Sequence, residues 1–191
     1  MSTTPFDFEA LEEHLFDGCA EAIASVQSEI GREDPAVFFA IDANPYYGEF
    51  LPSLDTRSNA AAVMKGHQAS VLERRAWLKD TSDEAWKNAH EHARFESLPL
   101  YNHEVADFSH HMLADLKYAP LASFVRDPIY ATLNATASKD GWVEGHTRAV
   151  LARVVDRLVD GGHFASLPIA APFGVGYAYH GEPMIVCRVV L

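Results

Sequence analysis

The sequence predicts an α+β domain whose sheet is mostly antiparallel, contains about four strands from both ends of the chain and is packed by about five helices. Two observations support this fold class. Apolar residues recur at helical spacing after Pro5 and again over residues 143–160, whereas short apolar runs typical of strands occupy residues 36–41 and 184–191. The chain of 191 residues is 48% hydrophobic, which suffices for one sizeable core, and it contains no internal repeat or linker. We therefore expect residues 1–191 to form a single domain.

The first predicted elements are a helix and a strand. Thr4 is placed to cap the helix and Pro5 to occupy its first position. Residues 36–41, "AVFFAI", form a short run of β-formers and predict a strand buried on both faces. One face of the helix carries an apolar stripe made of Phe8, Leu11, Leu15, Cys19, Ala22, Ile23, Val26 and Ile30.

A second strand and a second helix are predicted next. Residues 49–54, "EFLPSL", predict a strand that Pro52 restricts to a sheet edge or a bulge, because proline cannot donate to the ladder. Asp55, Thr56 and Ser58 then offer N-caps for a helix over residues 59–78.

The remaining elements alternate between helices and strands. Helices are predicted over residues 82–95 and 102–116, capped by Ser82 and Asn102, and over residues 143–160, which Gly161-Gly162 ends. Two strands follow, over residues 174–179 and 184–190, joined by a turn at residues 180–183. Every residue from 184 to 191 except Arg188 is apolar, which predicts a central strand covered on both faces.

The composition narrows the classes of partner. The chain has 27 acidic and 15 basic residues and a net charge of -12, so it should repel nucleic-acid phosphates and anionic lipids. A basic protein partner is favoured instead. No signal peptide or spanning segment is evident, and the two cysteines, Cys19 and Cys187, show no CxxC or disulfide pattern. We expect a cytoplasmic protein with two buried, reduced thiols.

Motifs for catalysis and cofactor binding are missing. "FGVGYA" contains Gly174 and Gly176 without a third glycine, and it begins a predicted strand where a nucleotide-binding loop should open a helix. These glycines therefore indicate a bulge or close packing against Trp or Tyr rings. No cofactor and no catalytic residue is expected.

A histidine cluster offers an alternative function. If residues 102–116 form a helix, His103, Asp107 and either His110 or His111 share one face at a spacing that can chelate a metal ion. This arrangement would suit a small metal-dependent enzyme. The other interpretation is an amphipathic helix with solvated polar residues and Phe108 among those turned inward.

The segment "DANPYYGEF", residues 42–50, predicts a hairpin connection, because Asn44-Pro45 and Gly48 supply turn chemistry. It also predicts a protein contact, since tyrosine offers a large area with a polar tip and little loss of entropy. The two interpretations are compatible. The predicted partner-binding residues are Asp42, Tyr46, Tyr47, Glu49 and Asp55.

The order of these segments resembles a family of bacterial domains of unknown function whose members look like immunity proteins of toxin systems. The features that carry the resemblance are the strand at Phe38 to Ile41, the aromatic and glycine-bearing loop from Asp42 to Gly48, and the pair Asp55-Thr56 before a helix. It implies a non-enzymatic protein that binds and neutralises a basic toxin domain. A stand-alone structural or regulatory domain is a third possibility.

Overall fold

The structure is a computed structural model of the chain, and it describes residues 6–90, 102, 104–128, 130 and 141–191. Its fold class is α+β, as predicted. The helices are α1 (Phe8–Val26), α2 (Arg57–Asp80), α3 (Glu84–His90), α4 (Ala119–Arg126) and α5 (Trp142–Asp160). The strands are β1 (Ala36–Asn44), β2 (Glu49–Thr56), β3 (Leu116–Lys117), β4 (Ile169–Tyr179) and β5 (Ile185–Val190). None of the helices in these ranges has the length and apolar character needed to span a membrane.

The described strands form one sheet in the order β3-β2-β1-β4-β5. β1 pairs in parallel with β4, and the other neighbouring strands are antiparallel. Ile41 illustrates the register, since it lies between Pro52 of β2 and Tyr177 of β4. The prediction that both ends of the chain share one mostly antiparallel sheet is therefore confirmed. The parallel pair brings the carboxyl ends of β1 and β4 together at one end of the sheet.

Of the two apolar strands, only one lies where its composition suggests. β1 is central and buried, as predicted, with Phe39, Ala40 and Ile41 inaccessible to solvent. β5 was predicted to be central and instead lies at a sheet edge, where Ile185 is 41% and Val189 55% exposed. An apolar composition indicates only that a strand is suited to burial. Which strands lie beside it depends on the topology of the whole chain.

Helices α1 and α5 cover one face of the sheet. The predicted apolar stripe of α1 is buried from Phe8 to Val26, and it packs in the same core as the inward face of α5. Glu12 joins the two helices through Arg153 at 2.6 Å and Arg157 at 3.1 Å. Asp7 caps α1 by accepting the Ala10 N–H at 3.0 Å, while Thr4-Pro5 lies outside the described residues.

The cysteines differ in exposure. Cys19 is fully buried in α1, and this burial raises the pKa of its thiol far above the ordinary range. Cys187 on β5 is only half-buried. Both are free thiols, so the prediction of a buried thiol is confirmed for Cys19 alone.

The glycines of β4 serve close packing. A Cβ at Gly174 would lie 2.7 Å from the Phe38 ring, and a Cβ at Gly176 would collide with the Ile185 carbonyl oxygen. Gly176 adjoins the irregularity in the β4–β5 register. The predicted irregularity is thus present, whereas the ring beside Gly174 belongs to phenylalanine and not to the predicted tryptophan or tyrosine.

Of the helix predicted over residues 102–116, the described residues 104–116 form none. A 3₁₀ turn spans Val105–Asp107, and the following chain runs beside β2. The His110 N–H donates to the Leu54 carbonyl at 2.9 Å, and the Leu113 N–H donates to the Pro52 carbonyl at 2.8 Å. These bonds to the outer edge of β2 replace the intrahelical ones, which explains how tertiary structure overrides the helical pattern. Of the helix predicted over residues 82–95, α3 accounts for Glu84–His90, and residues 91–95 lie outside the described ranges.

Helix α2 is capped by a residue that is distant in sequence. Thr56 is its N-cap residue but makes no side-chain cap bond. Instead, Asp34 accepts the backbone N–H of Ser58 at 2.8 Å and the hydroxyl of Ser58 at 2.6 Å. These hydrogen bonds lower the pKa of Asp34 below its usual value of 3.8.

Asp34→Ala is expected to destabilise the protein by about 1 kcal/mol, the usual cost of removing a helix cap. Because the folded pKa is depressed, the contribution of Asp34 is complete above the unfolded pKa near 3.8 and is lost as the pH falls through the folded value. Thermal unfolding of both proteins at a series of pH values measures this difference. Glu33→Ala, an exposed neighbour, is the control and should change stability by less than about 0.5 kcal/mol. A difference between Asp34→Ala and wild type that persists unchanged at the lowest pH would contradict the assignment.

Candidate functional site

The hairpin tip, residues 45–48, joins β1 to β2 at the carboxyl end of β1. Within it the Tyr47 N–H donates to the Asn44 carbonyl at 3.1 Å, and the Gly48 N–H donates to the Pro45 carbonyl at 3.1 Å. Gly48 has a φ of 64°, and its carbonyl accepts the Tyr118 N–H at 2.8 Å. A Cβ at Gly48 would lie 2.6 Å from the Tyr118 carbonyl oxygen, so only glycine fits. The predicted turn is confirmed, and these hydrogen bonds together with the close contact at Gly48 fix its conformation.

The two tyrosines of the tip have different surroundings. Tyr46 is 44% exposed, and its hydroxyl donates to Glu144 Oε1 at 2.5 Å, which raises its pKa. Tyr47 is 62% exposed and projects beside it. Tyr46 is therefore braced against the first turn of α5, whereas most of the Tyr47 surface faces solvent. Tyr47 does not act as a lid on the core.

A cleft of about 190 Å³ lies between the hairpin tip, the start of α5 and the β4–β5 turn. We call it the sheet-end cleft, and its polar lining is Asn44, Tyr46, Glu144, Tyr179, His180 and Glu182. The Tyr179 hydroxyl donates to the Glu144 carbonyl at 2.8 Å, and the His180 N–H donates to the Ala43 carbonyl at 3.0 Å. Three separate segments of the chain thus hold the cleft in place.

Arg148 contacts two of the residues that line this cleft, Tyr179 and Glu182. Its guanidinium lies 4.1 Å from the centre of the Tyr179 ring and 3.3 Å from Glu182 Oε2. Glu182 is thereby partly neutralised, while Glu144 accepts a hydrogen bond from a neutral hydroxyl and keeps its negative charge. The cleft is smaller than typical pockets for small-molecule ligands but suits the head of one cationic side chain.

A larger and more open hollow of about 510 Å³ lies beside the end of α2, with Glu73, Ala76, Trp77, Asp80 and Thr81 as its described lining. These residues come from one continuous segment. The sheet-end cleft, in contrast, joins side chains from distant parts of the chain and adjoins the two exposed tyrosines. We therefore take the sheet-end cleft and the hairpin tip as the candidate site.

Asp42 was predicted to contact a partner, but the structure buries it at 4% exposure. Its Oδ2 lies 3.2 Å from Nδ1 of His180, whose side chain is largely exposed, and its Oδ1 is buried with no hydrogen-bond partner among the described residues. A hydrogen bond from Nδ1 leaves Nε2 of His180 available to a partner. Asp42 thus acts by orienting His180 at the rim of the cleft.

Asp55 was also predicted to contact a partner, and it is completely buried. Its Oδ1 accepts the Asn59 amide at 2.8 Å and the Ser109 N–H at 3.1 Å, while its Oδ2 accepts the Asn102 amide at 2.8 Å. A buried carboxylate needs such partners to offset its desolvation. Asp55 therefore joins β2 to α2 through Asn59, and to the chain around the 3₁₀ turn through Asn102 and Ser109. It is not part of the accessible surface.

Glu49 remains at the surface beside the hairpin tip. Its Oε1 lies 3.8 Å from Lys117 Nζ, which also lies 3.0 Å from Asp115. The two carboxylates raise the pKa of Lys117, Asp115 more strongly than Glu49. Because one ammonium is shared between two acids, this part of the rim carries a net negative charge.

The predicted metal ligands do not share a helix face, since the helix itself is not formed. His103 lies outside the described residues. Asp107 ends the 3₁₀ turn, Nδ1 of His110 lies 3.8 Å from Glu29, and Nε2 of His111 is buried without a hydrogen-bond partner. In the part of the chain that the structure describes, no three histidine, cysteine or acidic residues are grouped as a metal site.

The sequence interpretation did not include Glu144, Tyr179, His180 and Glu182 in the site. Glu144 lies 98 positions from Tyr46, and only the parallel pairing of β1 with β4 brings the β4–β5 turn beside the hairpin tip. The sequence offered one indication of these residues. Residues 179–182, "YHGE", are aromatic and polar and follow an apolar strand, in the same way that the hairpin tip follows β1. No protein-family model matches this chain, and no curated protein or solved structure is significantly similar to it.

Proposed function

We propose that the chain is a non-enzymatic binding protein that contacts a basic protein partner through the hairpin tip and the sheet-end cleft. The observation that carries this proposal is the pairing of an exposed Tyr47 with Tyr46, which Glu144 holds in place. Interface hot spots are rich in tyrosine, and a preorganised aromatic side chain loses little entropy on binding. A rigid hairpin tip satisfies that requirement.

Charge favours a basic partner. The chain has a net charge of -12, Glu144 accepts a hydrogen bond from Tyr46, and Glu49 directly follows the hairpin tip in the sequence. A lysine or arginine of the partner entering the sheet-end cleft would meet the Glu144 carboxylate and the ring of Tyr46. The overall negative field would speed the encounter at low salt.

The biological role that we propose is that of a bacterial immunity protein, which acts in the cytoplasm by covering a basic surface of a cognate toxin. This role rests on the resemblance of residues 36–60 together with the acidic, aromatic character of the site. Co-expression with the protein encoded by the neighbouring reading frame tests it. We expect wild type to protect the cells and to form a complex with that protein. Growth arrest despite a folded, expressed wild-type chain would contradict the role, even if another basic protein binds the same site.

Tyr47→Ala is expected to weaken binding of that partner at least tenfold, or about 1.4 kcal/mol, because it removes a large contact surface. Stability should change by less than about 0.5 kcal/mol, since the side chain is mostly exposed. Surface plasmon resonance and thermal unfolding of the same samples measure the two effects. Leu72→Ala is the control, because Leu72 is 52% exposed on α2, away from the hairpin. A loss of stability with unaltered binding kinetics would contradict the proposal and would show that the hairpin tip serves only as a turn.

A further inference from the structure

The two edges of the sheet are protected differently. β3 is only two residues long, carries Lys117 and follows a segment whose backbone bonds to β2. Short strands, lysines and covering loops are the usual devices that prevent pairing at an edge. β5 is six residues long, contains no lysine or proline and exposes Ile185 and Val189. Among the described strands, β5 therefore presents the unprotected edge.

The one charged residue of β5, Arg188, contacts helix α5. Arg188 donates to Asp156 and to Asp160 of α5, each at 2.8 Å, and these carboxylates raise its pKa. The strand consequently offers no uncompensated acid that would attract a basic protein, in contrast to the sheet-end cleft. What it offers is a backbone edge with apolar side chains, and its composition is that of a strand with a neighbour on each side.

We propose that β5 pairs in antiparallel fashion with β5 of a second copy of the chain, which extends the sheet across a two-fold axis. An antiparallel edge is self-complementary, because a two-fold axis perpendicular to the sheet supplies each copy with the same donors and acceptors. That axis places both α5 helices on the same face of the joined sheet. Arg188 of each copy lies on that face, where it pairs with Asp156 and Asp160 of its own α5 helix.

This pairing explains why the apolar run of residues 184–191 lies at an edge. The second copy would cover the side chains of Ile185 and Val189 and would satisfy the outer backbone groups of β5. The hairpin tip is formed by β1 and β2, on the other side of β4, so the two contacts use different surfaces. Dimer formation does not depend on the proposed partner.

Sedimentation velocity over a range from low micromolar to several hundred micromolar protein tests the proposal. Wild type should shift toward the dimer as its concentration rises. Ile185→Lys with Val189→Lys should remain monomeric or weaken association at least tenfold, because lysine blocks edge pairing. Leu72→Lys, which adds a lysine at an exposed leucine of α2, should dimerise like wild type. A wild type that is monomeric throughout, or a double variant that associates as wild type does, would overturn the proposal.

Hydrogen exchange of wild type alone provides a second test that requires no variant. Amide exchange in residues 185–190 should slow as the concentration rises, while exchange in the hairpin tip stays constant. Concentration-independent exchange in β5 would overturn the dimer. Loss of partner binding in Tyr47→Ala with unchanged sedimentation would show that the two sites are separate.

Discussion

Replacing Ile41 by aspartate is expected to unfold the protein. Ile41 is inaccessible to solvent in the central strand, between Pro52 and Tyr177, and it packs in the main core. An aspartate there would bury a carboxylate among apolar groups with no partner, which costs several kcal/mol. Since domains are typically stable by only about 5 to 15 kcal/mol, most of the folded population should be lost. Circular dichroism and thermal unfolding of the variant measure this loss.

The matched control is Val186→Asp in β5. Val186 is half-buried at the sheet edge, so its new carboxylate can reach water, and we expect a loss of only about 1 to 2 kcal/mol. Equal destabilisation by the two substitutions would contradict the order β3-β2-β1-β4-β5. A stable Ile41→Asp variant would contradict the central position of β1.

Replacing Asp55 by alanine is expected to cost about 3 kcal/mol, the second-largest effect predicted for this protein. The substitution removes the acceptor of the buried Asn102 amide, and it also removes one acceptor of the partly buried Asn59 amide and of the Ser109 N–H. Each bond to a charged acceptor contributes more than a neutral one. The loss should include local release of the segment that carries Ser109, which hydrogen exchange can follow residue by residue.

Asp107→Ala is the control for Asp55→Ala. Asp107 lies in the same segment, but its carboxylate is half-exposed, 3.3 Å from His67, and an exposed pair contributes only about 0 to 1 kcal/mol. Asp55→Ala should therefore be clearly less stable than Asp107→Ala. Similar stabilities for the two variants would show that the buried hydrogen bonds of Asp55 contribute little. Partner binding should fall in Asp55→Ala only as far as the folded fraction falls.

Local patterns in the sequence were sufficient for several elements. The apolar stripe of α1, the helix ended by Gly161-Gly162 and the strand at residues 36–41 were predicted because helical and strand periodicities follow directly from side-chain geometry. The hairpin tip was predicted because Pro45 and Gly48 have restricted or unusual backbone conformations. These features depend on neighbours within a few residues.

Long-range contacts decided the rest. Residues 102–116 have a helical pattern, but His110 and Leu113 form backbone hydrogen bonds with the edge of β2. β5 has the composition of a central strand but lies at the sheet edge. The position of a strand in the sheet and the hydrogen-bond partners of a segment depend on which parts of the chain meet in space. Local patterns in a single sequence do not indicate those long-range contacts.

The candidate site shows the same division. The sequence by itself determined that Tyr46 and Tyr47 lie on a turn among acidic residues. Tertiary structure alone decided that Asp42 and Asp55 are buried and that Glu144 meets Tyr46. The physical reason is that exposure and hydrogen bonding of a polar side chain depend on the strands and helices packed around it, and here the parallel pairing of β1 with β4 brings those elements together.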